Sequence, residues 1–124
     1  MSTLEVSNLN DGTTTVGTTF ITNGSAKAWI NFNGNSFGTR GSFNTSSITD
    51  DGTGSYSWTF TSNMSNGNYC VTASQGGDTN NNEVRVPTNA QTFAASGFSI
   101  STLDVGVALL DSVYVCMSVN GDLA

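Results

Sequence analysis

Residues 55–60 read Ser-Tyr-Ser-Trp-Thr-Phe, and this stretch decides the fold class because aromatic and small polar side chains alternate strictly. Successive side chains of a β-strand point to opposite faces, so the alternation predicts a strand that buries its aromatic face. Residues 26–33 and 113–119 show the same two-residue period. No stretch has the 3.6-residue apolar period of an amphipathic helix. The sequence therefore predicts a protein built from strands.

Turn sequences separate these strand-like runs. Asn33-Gly34 predicts a tight turn, and residues 50–54, Asp-Asp-Gly-Thr-Gly, predict another, because Asp, Asn and Gly tolerate left-handed backbone. The runs recur roughly every 10–15 residues, which favours antiparallel strands packed as a sandwich or a barrel. We predict an all-β fold, an antiparallel β-sandwich of jelly-roll type with about seven to nine strands and an extended N-terminal arm.

The first 25 residues differ from the rest of the chain. They are polar, rich in Thr and Gly, and their apolar residues are spaced irregularly. Such a segment cannot bury itself, so residues 1–25 are predicted to be an arm that is either disordered or packed against another chain, and residues 26–124 the sandwich domain. Trp29 alternates out of phase with the apolar face of its strand and points away from it. The predicted subunit interface comprises Val6, Leu9, Val16, Phe20, Ile21 and Trp29.

Charge excludes several partners. Only 10% of the 124 residues are charged, and the net charge is −6, with Lys27, Arg40 and Arg85 as the basic residues. Phosphate backbones need clustered Lys and Arg, so we expect no nucleic-acid binding. No run approaches the roughly 20 apolar residues of a membrane span, so we expect no membrane insertion. The first residues lack the pattern of a signal peptide, which predicts synthesis in a cytoplasm.

An enzyme is hard to build from these residues. The chain has no histidine, which removes the commonest general base and the Ser-His and Cys-His pairs. Asp50 and Asp51 are the only adjacent carboxylates, and neighbours in a turn are better suited to accepting hydrogen bonds from turn amides than to catalysis. We predict no enzymatic activity, no catalytic residue and no cofactor.

Two further groups of residues are candidate sites. Oxygen ligands for calcium occur at Asp78, Asn80, Asn81, Asn82 and Glu83, but the spacing is not that of an EF-hand, so a solvated loop is favoured and no metal is predicted. The two cysteines, Cys70 and Cys116, lie in strand-like runs. We favour half-buried free thiols, and a bridge stays open if their strands are neighbours.

Aromatic residues raise a carbohydrate-stacking hypothesis. Rings can pack on the C–H faces of sugars while Asn and Ser supply hydrogen bonds. The competing reading is a sandwich core, favoured for most of them, and a subunit interface is favoured for Trp29. The aromatic residues in question are Trp29, Tyr56, Trp58, Tyr69 and Tyr114.

Two runs carry a family resemblance. Residues 22–34 read Thr-Asn-Gly-Ser-Ala-Lys-Ala-Trp-Ile-Asn-Phe-Asn-Gly, and residues 42–56 read Ser-Phe-Asn-Thr-Ser-Ser-Ile-Thr-Asp-Asp-Gly-Thr-Gly-Ser-Tyr. With Phe60, Met64 and Tyr69 they resemble a module of short tail-fibre and tail-associated proteins from marine and freshwater phages, cyanophages among them. The resemblance covers residues 1–73 and the closing run from Tyr114 to Gly121, and it departs from the family pattern at residues 35–39.

The resemblance implies a structural and adhesive function. Fibre modules of this kind are usually homotrimers that attach through the N-terminal part and present loops to the host. The expected partners are other copies of the chain, phage tail or baseplate proteins, and a glycan or protein of the host surface. The expected location is the tail of a virion assembled in the host cytoplasm. The alternative is a capsid decoration or head-fibre protein with a purely structural role.

Polar loops are the expected contacts with the host receptor. Polarity and position select residues 34–40, 62–67, 75–82 and 87–92. The candidate receptor contacts within them are Asn35, Phe37, Arg40, Asn66, Gln75, Asp78, Asn80, Asn81 and Asn82.

Overall fold

The computed structural model describes residues 1–77 and 93–124, together with the backbone of residues 82–85. These residues form ten strands and one short helix. The elements are β1 (Asn8–Asn10), β2 (Thr15–Gly17), α1 (Thr18–Gly24), β3 (Ala26–Asn33), β4 (Gly38–Phe43), β5 (Thr45–Gly52), β6 (Ser55–Phe60), β7 (Cys70–Gly76), β8 (Asn82–Arg85), β9 (Gly97–Asp104) and β10 (Tyr114–Asn120).

Eight of the strands form two four-stranded sheets. The first sheet has the order β4-β3-β10-β7 and the second has the order β5-β6-β9-β8, with antiparallel pairing throughout. The all-β antiparallel sandwich predicted from the sequence is confirmed. The jelly-roll type is not confirmed by this order, in which the first strand of the sandwich, β3, pairs with its last, β10.

The core lies between the two sheets and consists of the residues that alternate inward. Tyr56, Trp58 and Phe60 of β6 are buried, as the alternation predicted. The Trp58 ring packs edge-on against Phe98 of β9, with 5.4 Å between ring centroids. Such aromatic pairs contribute about 0.5–1.5 kcal/mol beyond the burial of their area. The first sheet contributes the opposite wall of the core, with Ala28, Ile30, Phe32, Val115, Met117 and Val119.

Residues 37–48 do not form one continuous strand. They contain the whole of β4 and the first part of β5, which lie in different sheets. Asn44 joins the two strands with a φ of 54°, a left-handed conformation that Asn tolerates better than most residues. Its side-chain amide donates to the carbonyls of Lys27 and Ser62, each at 3.0 Å, and so ties the two sheets together.

The turn predicted at residues 50–54 connects β5 to β6. β5 continues through Gly52, and β6 begins at Ser55. The Asp50 carboxylate accepts a hydrogen bond from the amide of Gly52 at 3.0 Å, and Asp51 accepts one from the Ser57 hydroxyl at 2.5 Å. Both carboxylates therefore have structural hydrogen-bond partners within the hairpin.

The arm is more structured than predicted, and its extended conformation is not confirmed. β1 and β2 form a hairpin in which Leu9 pairs with Val16. The Asp11 carboxylate closes the turn by accepting hydrogen bonds from the amides of Thr14 and Thr13, and these bonds lower the pKa of Asp11. The helix α1 follows, although no helix was predicted, because seven residues are too few to show a helical period.

Candidate functional site

The sandwich has two ends, and the arm joins it at one of them. The arm enters at the start of β3, and the antiparallel strands place residues 61–69 and 121–124 at this same end, which we call the proximal end. The opposite, distal end is formed by residues 34–37, 53–54 and 105–113. The proximal end and the distal end are therefore separated by the length of the strands.

The predicted receptor contacts do not form one surface. Asn35 and Phe37 lie exposed at the distal end, and Phe37 also packs against Tyr56, with parallel rings 6.3 Å apart. Asn66 lies at the proximal end, where it lines a groove together with Asn23 of the arm. The loop 62–67 is thus beside the arm rather than at the end that faces away from it.

Two predicted loop contacts lie in strands, and their assignment to loops is wrong. The Gln75 side chain points between the sheets, where its amide donates to the carbonyl of Leu103 at 2.7 Å. Arg40 lies in β4, exposed on the outer face of the first sheet. Both residues are polar members of alternating strands, and polarity alone does not distinguish such positions from loops.

Several predicted contacts lie outside the described residues. These are Asp78, Asn80 and Asn81, together with the loop 87–92. Asn82 begins β8, and Glu83 follows it there, so the predicted loop 75–82 is wrong at both ends. Among the residues whose side chains are described, no group of three or more His, Cys, Asp or Glu side chains could hold a metal ion.

At the distal end, the loop 105–113 was not predicted as a contact. Asp111 anchors it, because its carboxylate accepts hydrogen bonds from the amide of Gly54 at 2.6 Å and from the hydroxyl of Tyr56 at 2.8 Å. Burial, and then the Asp111 carboxylate, raise the pKa of Tyr56 above its usual range. The sequence signal for this loop was weak, because its short apolar run resembles a buried strand.

The tip of this loop is strained and apolar. Val107 has a φ of 64°, which is an outlier for a β-branched residue and costs about 1–3 kcal/mol. Asp104 holds the conformation, since its carbonyl accepts from the Val107 amide and its carboxylate accepts from the Ala108 amide. Val105, Val107 and Leu109 are more than half exposed. The distal end therefore presents a fixed apolar loop.

The outer face of the first sheet carries the exposed aromatic residues of the sandwich strands. Of the five aromatic candidates for sugar stacking, Tyr56, Trp58 and Tyr69 are buried in the core, whereas Trp29 and Tyr114 are exposed on this face. The Arg40 guanidinium lies over the Tyr114 ring, 4.3 Å from its centroid. We call this surface the outer face. Its members include Trp29, Asn31, Arg40, Gly41, Phe43, Tyr114, Cys116 and Ser118.

The predicted interface residues of the arm are all on the surface. Val6, Leu9, Val16, Phe20 and Ile21 are exposed, and Phe20 is 78% exposed. The α1 helix buries none of its residues, and no helix in the described part of the chain is long and apolar enough to cross a membrane. A groove of about 820 Å³ lies between α1 and the first sheet, with Ile21, Phe43 and Leu123 as its apolar lining.

The cysteines are free and occupy neighbouring strands without facing each other. Cys70 pairs with Asn120, whereas Cys116 pairs with Ser74, four residues further along β7. That offset corresponds to about 13 Å, well beyond the reach of a disulfide. Cys70 is exposed rather than half-buried as predicted, and Cys116 is partly buried.

No family model, no curated protein and no solved structure matches this chain. The resemblance to phage tail-fibre proteins stays a prediction from the two runs quoted above, and the function is argued from the surfaces of the molecule.

Proposed function

We propose that this chain is a non-catalytic virion protein of the phage tail-fibre type. Its arm assembles with other copies and docks to the tail or baseplate, and its sandwich contacts the host surface. The proposal is supported by the resemblance of residues 1–73 and by the two-ended arrangement of the surfaces.

The observation that carries the proposal is the exposed apolar surface of the arm. The hairpin and α1 leave Leu9, Val16 and Phe20 in water, because a two-stranded hairpin and a seven-residue helix cannot cover one another. Clustered exposed apolar residues of this kind are typical of protein interfaces. The groove beside α1 extends this surface onto the sandwich at Phe43 and Leu123.

The distal end supports the second half of the proposal. Its loops point away from the arm, and the carboxylates of Asp104 and Asp111 fix their backbone by accepting hydrogen bonds from the amides of Ala108 and Gly54, respectively. A surface that is ordered before binding loses less conformational entropy when it binds. Val107 keeps a strained conformation in this loop, and backbone strain clusters at sites that clamp ligands.

The experiment that tests the proposal is the mass in solution, measured by light scattering, of the full chain and of a variant lacking residues 1–25. We expect a mass near three times 12.9 kDa for the full chain, and a monomer after truncation. Circular dichroism should show that the truncated sandwich keeps its strands, because both sheets lie after residue 25. A full chain that stays monomeric at high concentration would contradict assembly through the arm.

A second measurement tests the virion role. The labelled chain is mixed with purified phage tails and with empty heads, and sedimentation separates bound from free protein. We expect binding to tails that depends on residues 1–25. Binding to heads alone would favour the decoration protein over the tail fibre.

A further inference from the structure

The charges of this protein are divided unequally between its two sheets. The chain carries nine acidic residues and three basic residues. The four strands of the first sheet contain Lys27 and Arg40 and no Asp or Glu. The strands of the second sheet contain Asp50, Asp51 and Asp104 among others. An acidic protein thus has one sheet whose strands are free of carboxylates.

Arg40 is the exposed cation of that sheet. The Lys27 side chain is buried, and its ammonium donates to the carbonyl and the hydroxyl of Ser25 at 2.9 and 2.8 Å. Arg40 instead lies on the outer face, positioned by the Tyr114 ring beneath it and by a 3.4 Å hydrogen bond to the Asn31 side chain. A guanidinium has five N–H donors, so this placement leaves donors for a ligand.

Trp29 presents an aromatic surface on the same face. A Cβ atom at Gly41 would lie 3.4 Å from two carbons of the Trp29 ring, so the absence of a side chain at Gly41 lets the ring lie across β4. Trp29 pairs with Ser118, four residues from Tyr114 along β10. Because Gly41 pairs with Asn31, the Trp29 ring is directed toward the end of the face at which Arg40 lies over Tyr114.

We propose that the outer face binds an acidic polysaccharide, with Arg40 pairing with the carboxylate of a uronic acid and Trp29 packing against the C–H face of a sugar ring. A guanidinium matches a carboxylate with two parallel hydrogen bonds, which selects a charged sugar over a neutral one. The floor between the two groups is uncharged and polar, with Asn31, Cys116 and Ser118. Side chains of this kind can hydrogen-bond to sugar hydroxyls.

The inference rests on the proposed attachment function and adds to the distal end a second host contact, a glycan site on the outer face of the first sheet. It gives Trp29 a ligand contact instead of the subunit contact predicted from the sequence. The exposed cation of Arg40 favours an acidic glycan at its end of the outer face. The apolar surface available to a second copy lies on the arm, beside α1 and at Phe43, the cross-strand partner of Trp29.

The test uses the full chain and three probes, namely oligosaccharides of polygalacturonate, alginate and hyaluronan. The matched control for each probe is its carboxyl-reduced form, which keeps the sugar backbone and lacks the charge. Affinity is measured by calorimetry. We expect binding of at least one acidic probe, and binding of its reduced form that is at least about tenfold weaker, since hydrogen bonds to charged groups have that size.

Variants locate the binding on the outer face. We expect Arg40→Gln and Trp29→Ala each to weaken binding of the acidic probe about tenfold or more, and Trp29→Phe to keep most of it. Arg85→Gln removes the same charge from β8 of the second sheet and should change the affinity less than about twofold. Circular dichroism confirms that every variant is folded.

Failure of all three acidic probes to bind would overturn the inference, and so would equal binding of acidic and reduced forms. Binding that survives both Arg40→Gln and Trp29→Ala would also overturn it. These failures are distinct from a failure of the proposed function. If the chain forms a trimer but does not bind acidic sugars, only the glycan site is contradicted. If the chain is a monomer that binds acidic sugars, only assembly through the arm is contradicted.

Discussion

The sandwich and the arm contain similar apolar residues and place them oppositely. Trp58 in the sandwich is 1% exposed, whereas Phe20 in the arm is 78% exposed. The sandwich has two sheets, so each can cover the apolar face of the other. The arm has a hairpin and one short helix, and neither covers the other. The difference teaches that residue type does not decide burial, and that the arm does not bury its apolar residues within its own fold.

The largest expected effect contrasts the two tryptophans. Trp58→Ala should lower the free energy of unfolding by about 3–5 kcal/mol, because it empties a site between the sheets. Trp29→Ala removes the same side chain from the outer face and should cost about 1 kcal/mol or less. Urea unfolding of both variants measures the contrast. Equal losses would mean that Trp29 is also a core residue.

The next contrast uses two glycines with positive φ. Gly97 has a φ of 152° and an added Cβ would overlap the carbonyl of Trp58, whereas Gly12 in the arm has a φ of 98° and open space around it. Gly97→Ala combines backbone strain with a clash and should destabilise the sandwich by about 2–4 kcal/mol. Gly12→Ala has strain alone and should leave the unfolding midpoint of the sandwich unchanged. A midpoint shift with Gly12→Ala would show that the arm supports the sandwich.

Alkaline pH should weaken the sandwich and spare the arm. Burial raises the pKa of Tyr69 from 10.0 to about 12, and its hydroxyl donates toward the carbonyls of Ala94 and Gly97. The folded state therefore holds this proton more tightly than the unfolded state. The stabilisation is complete below pH 10 and is lost as the pH rises toward 12, by an amount on the order of 1–2 kcal/mol.

Urea unfolding at pH 8 and pH 11.5 measures this loss, and Tyr69→Phe is the matched variant. It should have a smaller loss between the two pH values than the unmodified chain. An identical loss would assign the alkaline sensitivity to other groups.

The smallest effect on stability belongs to the arm. Phe20→Ser should change the free energy of unfolding by less than about 0.5 kcal/mol, because the ring is already in water. The same variant should lower the mass in solution if the arm assembles copies. Thr19→Ser, at an adjacent exposed position, is the control and should leave both quantities unchanged. If Phe20→Ser greatly lowered the free energy of unfolding and left the mass in solution unchanged, Phe20 would support the fold and not the assembly.

The alternation of apolar and polar residues predicted the strands whose pattern is visible within their own sequence. The strands β3, β6 and β10 follow from alternation, because side-chain direction repeats every two residues whatever the partner strand. The division of residues 37–48 between two sheets was not predictable, since it depends on Asn44 and on hydrogen bonds to distant carbonyls. The candidate loops were chosen by polarity, and polarity contains no information about strand direction. Asn66 and Asn35 consequently lie at opposite ends, and Gln75 lies between the sheets.

The pairing of β3 with β10 has a consequence for how the chain folds during synthesis. Phe32 on β3 pairs with Val115, more than 80 residues later, and β10 is also the only partner of β7 in its sheet. The β3-β4 and β5-β6 hairpins can form early, whereas the other edge of β3 and the whole of β7 stay unpaired until the ribosome has released residue 120. Contacts this distant in sequence form slowly, and unpaired strands invite misassociation meanwhile. Chaperone dependence during translation should therefore end when β10 emerges.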